Sequence, residues 1–134
     1  MKSLRRVLAA LSVVVLVLGI TSCDSTSEAS GTVVRVQPAR AVELIRQGDD
    51  TVIDLRTPRE YEAGHVAGAI NIDSTAPDFE ERVKELDSSM TYLVYASNKT
   101  QSAPAADTMV RLGIDRVLDA GGFGLLALSG AGLE

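Results

Sequence analysis

Short apolar segments that suit β-strands alternate with segments of helical periodicity from residue 33 onward. Within one helical segment, Phe79, Val83 and Leu86 recur at the spacing that places apolar side chains on one helix face. This alternation predicts an α/β fold, in which a mostly parallel sheet carries helices on both faces. The predicted strands cover residues 33–36, 51–55, 69–72, 93–95 and 116–118, and the predicted helices begin at residues 38, 59, 77 or 78, 103 and 123.

A polar loop follows the predicted strand 93–95, which is apolar enough to be a buried central strand. Ser102 is the expected cap of the next helix, with Pro104 in its first turn. The amino end of a helix attracts anions, and ligands bind at the carboxyl ends of parallel strands. The loop therefore has the position of a binding site, although it contains no Cys and no neighbouring base to activate its hydroxyls. Its residues are Ala96, Ser97, Asn98, Lys99, Thr100, Gln101 and Ser102.

The amino terminus predicts a secretory leader. Three basic residues within the first six precede an apolar run over 7–20, which is shorter than the ~20 residues of a membrane span. The run ends in Ile20-Thr21-Ser22-Cys23, which resembles the bacterial lipoprotein signal. The resemblance implies removal of 1–22, a lipid such as palmitate on Cys23, and an exported protein anchored to the bacterial cell membrane at its outer face or periplasmic side. An ordinary signal peptide with an incidental Cys, a retained membrane anchor and a free thiol are the alternatives.

The remaining chain divides into a predicted lipid-attached tether, 23–31, and one domain, 32–134. Residues 24–31 have no apolar periodicity, and a flexible segment of that length reaches about 15 Å. Removal of the leader changes the formal charge from −5 to −8, which argues against a nucleic-acid partner. One His and one Cys give no metal-ligand spacing, and we expect neither a metal nor a cofactor.

Residues 52–72 contain a dense pattern of fixed residue types: Asp54-Leu55-Arg56, Glu60-Tyr61, Gly64-His65, Gly68-Ala69 and Asn71. This pattern resembles the signature of rhodanese-like (rhodanese-homology) domains. The strand and loop at 92–102 and the pair Gly121-Gly122 resemble two further marks of that family. The resemblance covers 33–134 and implies a three-layer rhodanese-like fold, with a mostly parallel central sheet of about five strands.

The same resemblance identifies what the loop lacks. In active rhodaneses the loop begins with a Cys that carries sulfane sulfur as a persulfide, and Ala96 stands at that position here. An Arg often present in the family loop corresponds to Gln101, and an aromatic residue of the last helix corresponds to Leu126, which would alter a pocket wall. A methyl group forms no persulfide, and a neutral amide gives thiosulfate no charge-assisted hydrogen bonds. The resemblance thus implies a pseudoenzyme without a catalytic residue, and Cys23 at the far end of the tether does not replace the nucleophile.

Four motif residues have both a functional and a structural interpretation. Asp54, Arg56 and Glu60 are either an acid–base trio or the ion pairs that hold a loop to a helix, and we expect the second. His65 is either a general base or a packing residue, and its match in the family pattern is structural. Gly68 is expected to be structural as well.

Together these observations predict an exported, lipid-anchored rhodanese-like domain that binds or regulates without catalysis. Its expected partner is an unknown protein or a small oxyanion at the loop. Three alternatives remain open: a thiosulfate-type sulfurtransferase that takes its Cys from a partner, an oxyanion-binding protein without turnover, and a phosphatase, which also needs the Cys.

Overall fold

The computed structural model describes residues 31–134, which form one five-stranded sheet with flanking helices. The predicted leader, the predicted lipidation site Cys23 and all of the predicted tether except Gly31 lie outside the described residues. No helix within the described part is long and apolar enough to cross a bilayer. The elements follow in the order β1 (Thr32–Arg35), α1 (Pro38–Gln47), β2 (Thr51–Asp54), α2 (Pro58–Glu62), β3 (Ile70–Asn71), α3 (Phe79–Lys84), β4 (Thr91–Ala96), α4 (Lys99–Arg111), β5 (Arg116–Gly122) and α5 (Phe123–Leu128).

The sheet has the strand order β1-β5-β4-β2-β3, and every neighbouring pair in this part of the chain is parallel. β4 lies at the centre, where Val94 is in register with Ile53 of β2 and with Asp119 of β5. A parallel sheet covered on both faces needs strands that are apolar nearly throughout, which explains the uninterrupted run in β4. The predicted α/β class and the predicted five parallel strands are confirmed.

The hydrophobic core has two parts, one on each face of the sheet. Val94 of β4 packs with Val83 of α3 and Met109 of α4. Leu93, its neighbour in sequence, packs on the other face with Leu126 of α5. This alternation follows from the two-residue period of a strand. Leu126, which the resemblance implies at a pocket wall, is fully buried in this core.

α4 begins four residues earlier than predicted. Asn98 caps it, because its Oδ1 accepts a hydrogen bond from Gln101 N at 3.2 Å. Ser102, the expected cap, is buried within the helix and donates to Lys99 O at 3.4 Å. Asn is as good a cap as Ser, and the helix accepts Pro104 in its interior. The link between β4 and α4 is therefore only two residues long, Ser97 and Asn98.

β5 extends four residues further than predicted and brings its glycine pair against this short link. A register shift near the end of β4 places Gly122 opposite Ala96. A Cβ atom at Gly122 would lie 3.3 Å from both Asn98 Cα and Ser97 O. Glycine at this position thus allows the backbone of β5 to approach the start of α4.

Candidate functional site

At the carboxyl ends of β4 and its neighbour β5, the chain continues to opposite faces of the sheet. β4 leads into α4 on one face, and its neighbour β5 leads into α5 on the other. Ligands bind at such points in open α/β sheets. Ala96, to which the resemblance assigns the nucleophile position, ends β4 and is 1% exposed. Its methyl group belongs to the apolar core that also contains Ala105 and Met109.

The predicted loop residues divide into buried and exposed groups. Ala96 and Ser102 are buried, whereas the five residues from Ser97 to Gln101 are exposed. Ser97 Oγ donates a 2.6 Å hydrogen bond to Glu60 Oε1, which connects the loop to α2. The loop is thus shorter than predicted, and the carboxylate of Glu60 lies beside it.

Glu60 is held in a capping box at the start of α2. Its Oε2 accepts hydrogen bonds from Thr57 Oγ1 at 2.8 Å and Thr57 N at 3.2 Å, and its own N–H donates to Thr57 Oγ1 at 3.4 Å. The hydrogen bonds from Ser97 and from Thr57 lower the pKa of Glu60, so the side chain is ionised at neutral pH. A negative charge therefore lies at the position where the sequence pattern predicted an anion.

Asp54 and Arg56 form a buried ion pair. Arg56 Nη2 donates to Asp54 Oδ2 at 2.6 Å and to Gly64 O at 2.7 Å. Tyr95 OH donates to Asp54 Oδ2 at 2.7 Å, and the guanidinium lies 3.9 Å above the Phe123 ring. Burial opposes the charge of Arg56, but the hydrogen bond and the charge of Asp54 raise its pKa overall. Burial raises the pKa of Tyr95 as well, so this hydroxyl stays protonated.

These contacts do not assemble an acid–base trio. Among the described residues, Glu60 makes hydrogen bonds with Ser97 and Thr57 and none with Asp54 or Arg56. Asp54 and Arg56 instead join β2 to Tyr95 of β4. The geometry is that of a structural link.

His65 and Gly68 lie against the carboxyl-terminal residues of the chain. The His65 ring stacks on Tyr61 with 3.7 Å between centroids, and His65 Nε2 lies 3.6 Å from Glu134 Oε2. Gly68 has a φ of 79° and donates its N–H to the same carboxylate at 3.5 Å. Neither residue contacts the loop, so the structure offers no geometry for His65 as its general base.

A groove beside α4 contains two of the predicted loop residues, Thr100 and Gln101. Its volume is about 520 Å³, and its opposite wall is the segment between β3 and α3, from Ser74 to Pro77. Glu80 is its charged lining residue, and no Lys, Arg or His of residues 31–134 lines it. The residue pattern did not predict this wall, although a polar segment after a strand is the signal that marks such positions.

Lys99, the cation of the loop, lines a different cavity of about 220 Å³ that shares no lining residue with the groove. A larger cavity of about 590 Å³ lies beside β1 and α1 and includes no loop residue. Residues 31–134 contain no group of three or more His, Cys, Asp or Glu side chains placed to hold a metal ion. The carboxyl end of β4 thus has an uncharged and acidic side, at the groove, and a basic side, at Lys99.

Comparison with known proteins relates this arrangement to one family. The family model of the rhodanese-like domain matches residues 37–124. Thiosulfate sulfurtransferase GlpE of Pseudomonas putida is 34% identical over 71 residues, which are 53% of this chain and 64% of that protein. The protein of the same name from Pseudomonas paraeruginosa is 33% identical over 76 residues, 57% of this chain and 68% of that protein. The matched region thus spans 64% of the length of the first of these relatives.

Solved structures show the same fold. A rhodanese-related protein from Thermoplasma volcanium is 28% identical with a TM-score of 0.65, over 75% of this chain and 96% of that one. The rhodanese-like domain from an Anabaena species has a TM-score of 0.67 at 22% identity, over 75% of this chain and 77% of that one. The predicted three-layer fold is confirmed by these similarities.

Ser97→Ala tests the hydrogen bond between the loop and Glu60. Loss of the hydroxyl should raise the pKa of Glu60 toward its ordinary value of 4.5, measured by NMR titration of the carboxyl carbon. Because the pKa is depressed in the folded state, Glu60 adds stability above pH 4.5 that is lost as the pH falls through the folded-state pKa. Urea unfolding should therefore separate the variant from the native chain at pH 7, and the difference should become smaller as the pH falls below 4.5.

Ser88→Ala is the matched control, because the Ser88 side chain is exposed and makes no hydrogen bond within residues 31–134. This change should leave the pKa of Glu60 as it is in the native chain. An unchanged pKa in Ser97→Ala would contradict the assigned contact.

Proposed function

The chain belongs to the rhodanese-like domain family, and we propose that it serves as a binding module without sulfurtransferase chemistry of its own. The family nucleophile position is Ala96, whose methyl group is buried, and the sole Cys of the chain is Cys23. A persulfide requires a thiol at the loop. The loop and its groove are then available for recognition rather than turnover.

The observation that carries this proposal is the charge of the groove beside Gln101. The polar residues Ser74, Thr75 and Gln101 line it together with Glu80, its charged residue. A second carboxylate, Glu60, is bonded to the loop at Ser97. Oxyanions bind where donors and positive charge converge, so this lining disfavours them. It favours a protein segment that presents amide or basic side chains.

The volume and the apolar residues of the groove support a peptide segment as its occupant. About 520 Å³ is available between α4 and the segment before α3, and Phe79, Pro104 and Ala105 provide apolar surface. Binding pockets commonly combine such apolar contact with a few polar groups that fix the orientation of the ligand. The proposed partner is therefore a protein.

We further propose that the partner is met at the membrane surface. The Ile20-Thr21-Ser22-Cys23 sequence supports lipidation of Cys23 after export. A flexible tether of eight residues would keep the domain within about 15 Å of the lipid on average. Local concentration at the membrane would then raise the occupancy of a weak partner.

The second candidate function is thiosulfate sulfurtransfer. It is favoured by the relatives described as thiosulfate sulfurtransferases, at 34% identity. It requires that a partner supply the thiol at the loop. A structural neighbour from Rhodopseudomonas palustris described as a possible tyrosine phosphatase, at 26% identity, raises phosphatase chemistry, which meets the same obstacle at Ala96.

Sulfurtransferase activity of the 1–134 chain, assayed with thiosulfate and cyanide, is the test of catalysis. We expect no turnover, because no thiol lies at the loop. Ala96→Cys in a Cys23→Ser background should place its thiol in the core. This thiol should react with Ellman's reagent at least about tenfold more slowly in the folded chain than in the unfolded chain. Tenfold protection requires that local opening of the fold cost only ~1.4 kcal/mol.

Ser88→Cys in the same background is the control for thiol exposure, since its thiol should react freely and show no turnover. Turnover by the unmodified chain would contradict the non-catalytic proposal.

A photo-crosslinking amino acid at position 100 tests the groove in intact cells. We expect a discrete protein adduct that is lost on Glu80→Lys, because a basic partner segment would meet a like charge there. Glu62→Lys makes the same charge change on the exposed side of α2 and should retain the adduct. An adduct that is insensitive to Glu80→Lys would remove the support for a partner in the groove.

Cys23→Ser tests the anchor. It should abolish metabolic labelling by a palmitate analogue and move the chain from the membrane fraction to the soluble fraction. Ser25→Ala, in the tether, should change neither property. Labelling that persists in Cys23→Ser would place the lipid elsewhere and contradict the lipoprotein proposal.

A further inference from the structure

Asp119, near the carboxyl end of β5, is a buried carboxylate with no ion-pair partner among the described residues. It is only 3% exposed. Its Oδ1 accepts a hydrogen bond from Gly121 N at 2.9 Å, while its Oδ2 makes none within residues 31–134. Because no fully buried side-chain polar atom in this part of the chain lacks a partner, Oδ2 retains some accessible surface. A carboxylate buried to this degree is normally paired, so the unbonded Oδ2 is a candidate acceptor for a ligand that carries a donor.

Two basic side chains lie around the same cavity. Arg35 of β1 is in register with Asp119, which puts both side chains on one face of the sheet. Lys99, the first residue of α4, lines the cavity from the side of the loop. Neither cation forms an ion pair with Asp119 or with any other described residue. The cavity thus combines one free carboxylate with two free cations.

The first turn of α1 adds to the positive side of this cavity. Gln37 and Pro38, at the start of the helix, line it, and the Gln37 side chain makes no capping hydrogen bond. The dipole of the ten-residue helix favours negative charge at this end. Val36 and Leu125 provide the apolar part of the wall.

We propose that this cavity binds a small zwitterion of the α-amino acid type. The ammonium group would donate to Asp119, and the carboxylate would accept from Arg35 and Lys99. A plain oxyanion would meet the carboxylate of Asp119, and a plain amine would meet the two cations. A ligand with both charges matches all three residues.

The size of the cavity restricts the side chain of the ligand. Pockets for drug-sized molecules have roughly 300–1,000 Å³, and this cavity has about 220 Å³. This size, with Leu125 in the wall, favours a short apolar side chain such as that of alanine. This cavity shares no lining residue with the groove beside Gln101, so the inference stands apart from the proposed function.

Titration of the 1–134 chain with L-alanine, followed by calorimetry and amide NMR, tests the proposal. The shift changes should concentrate at 35–38, at Lys99 and at 119–121. Lactate lacks the ammonium group and ethylamine lacks the carboxylate, so each should bind at least about tenfold more weakly. Equal binding of lactate, ethylamine and L-alanine, or no saturable binding of L-alanine, would overturn the proposal.

Variants with matched charge changes complete the test. Asp119→Asn keeps the acceptor for Gly121 N and removes the charge, and Lys99→Gln removes a cation from the exposed surface. Each should weaken L-alanine binding by about tenfold or more. Asp107→Asn and Lys84→Gln make the same changes on exposed positions outside the cavity and should leave binding unchanged.

Inorganic phosphate is the probe for the main competing occupant. The proposal expects it to bind the native chain more weakly than L-alanine does. Phosphate binding that is tighter than L-alanine binding and unaffected by Asp119→Asn would assign the cavity to an oxyanion and overturn the proposal.

Discussion

The buried ion pair between Asp54 and Arg56 fixes the elements that surround the loop. Arg56 links β2 to Gly64 after α2, and Tyr95 of β4 donates its hydroxyl proton to the same carboxylate. Such a pair adds little net stability over an apolar replacement, yet loss of one partner strands a buried charge at a typical cost of ~3–5 kcal/mol. Its effect is therefore mainly on geometry. It sets the position of Tyr95, and so the point at which β4 ends and the loop begins.

The distribution of charge at the end of β4 depends on the positions of three side chains, Glu60, Glu80 and Lys99. The Glu60 carboxylate accepts a hydrogen bond from Ser97, the residue immediately before the cap of α4. The helix dipole favours a negative group at this position. Glu80 adds a second carboxylate at the groove, while Lys99 lines the cavity that contains Asp119. The chain thus supplies its own anion at the loop. The basic surface lies on the other side of the start of α4.

Much of the fold and part of the site could be predicted from local patterns. The alternation of strands and helices gave all five strands, and the motif from Asp54 to Asn71 identified the family. The start of α4 was predicted wrongly, because Asn98 and Ser102 are equally good caps in sequence and Pro104 favoured the later one. Which of the two caps begins α4 depends on where β4 ends, and the local sequence pattern does not specify that position.

The class of fold, the central position of an apolar strand and the absence of a thiol at the loop could be read from the amino-acid sequence, because periodicity and residue type are local properties. The contacts of each charged group depend instead on how the elements pack. Ser97 and Glu60 are 37 residues apart and bonded, whereas Arg35 and Asp119 lie side by side without an ion pair. Strand order and helix placement set such distances, and neither depends on spacing along the chain. The two binding surfaces at the end of β4 therefore emerge only from the packed molecule.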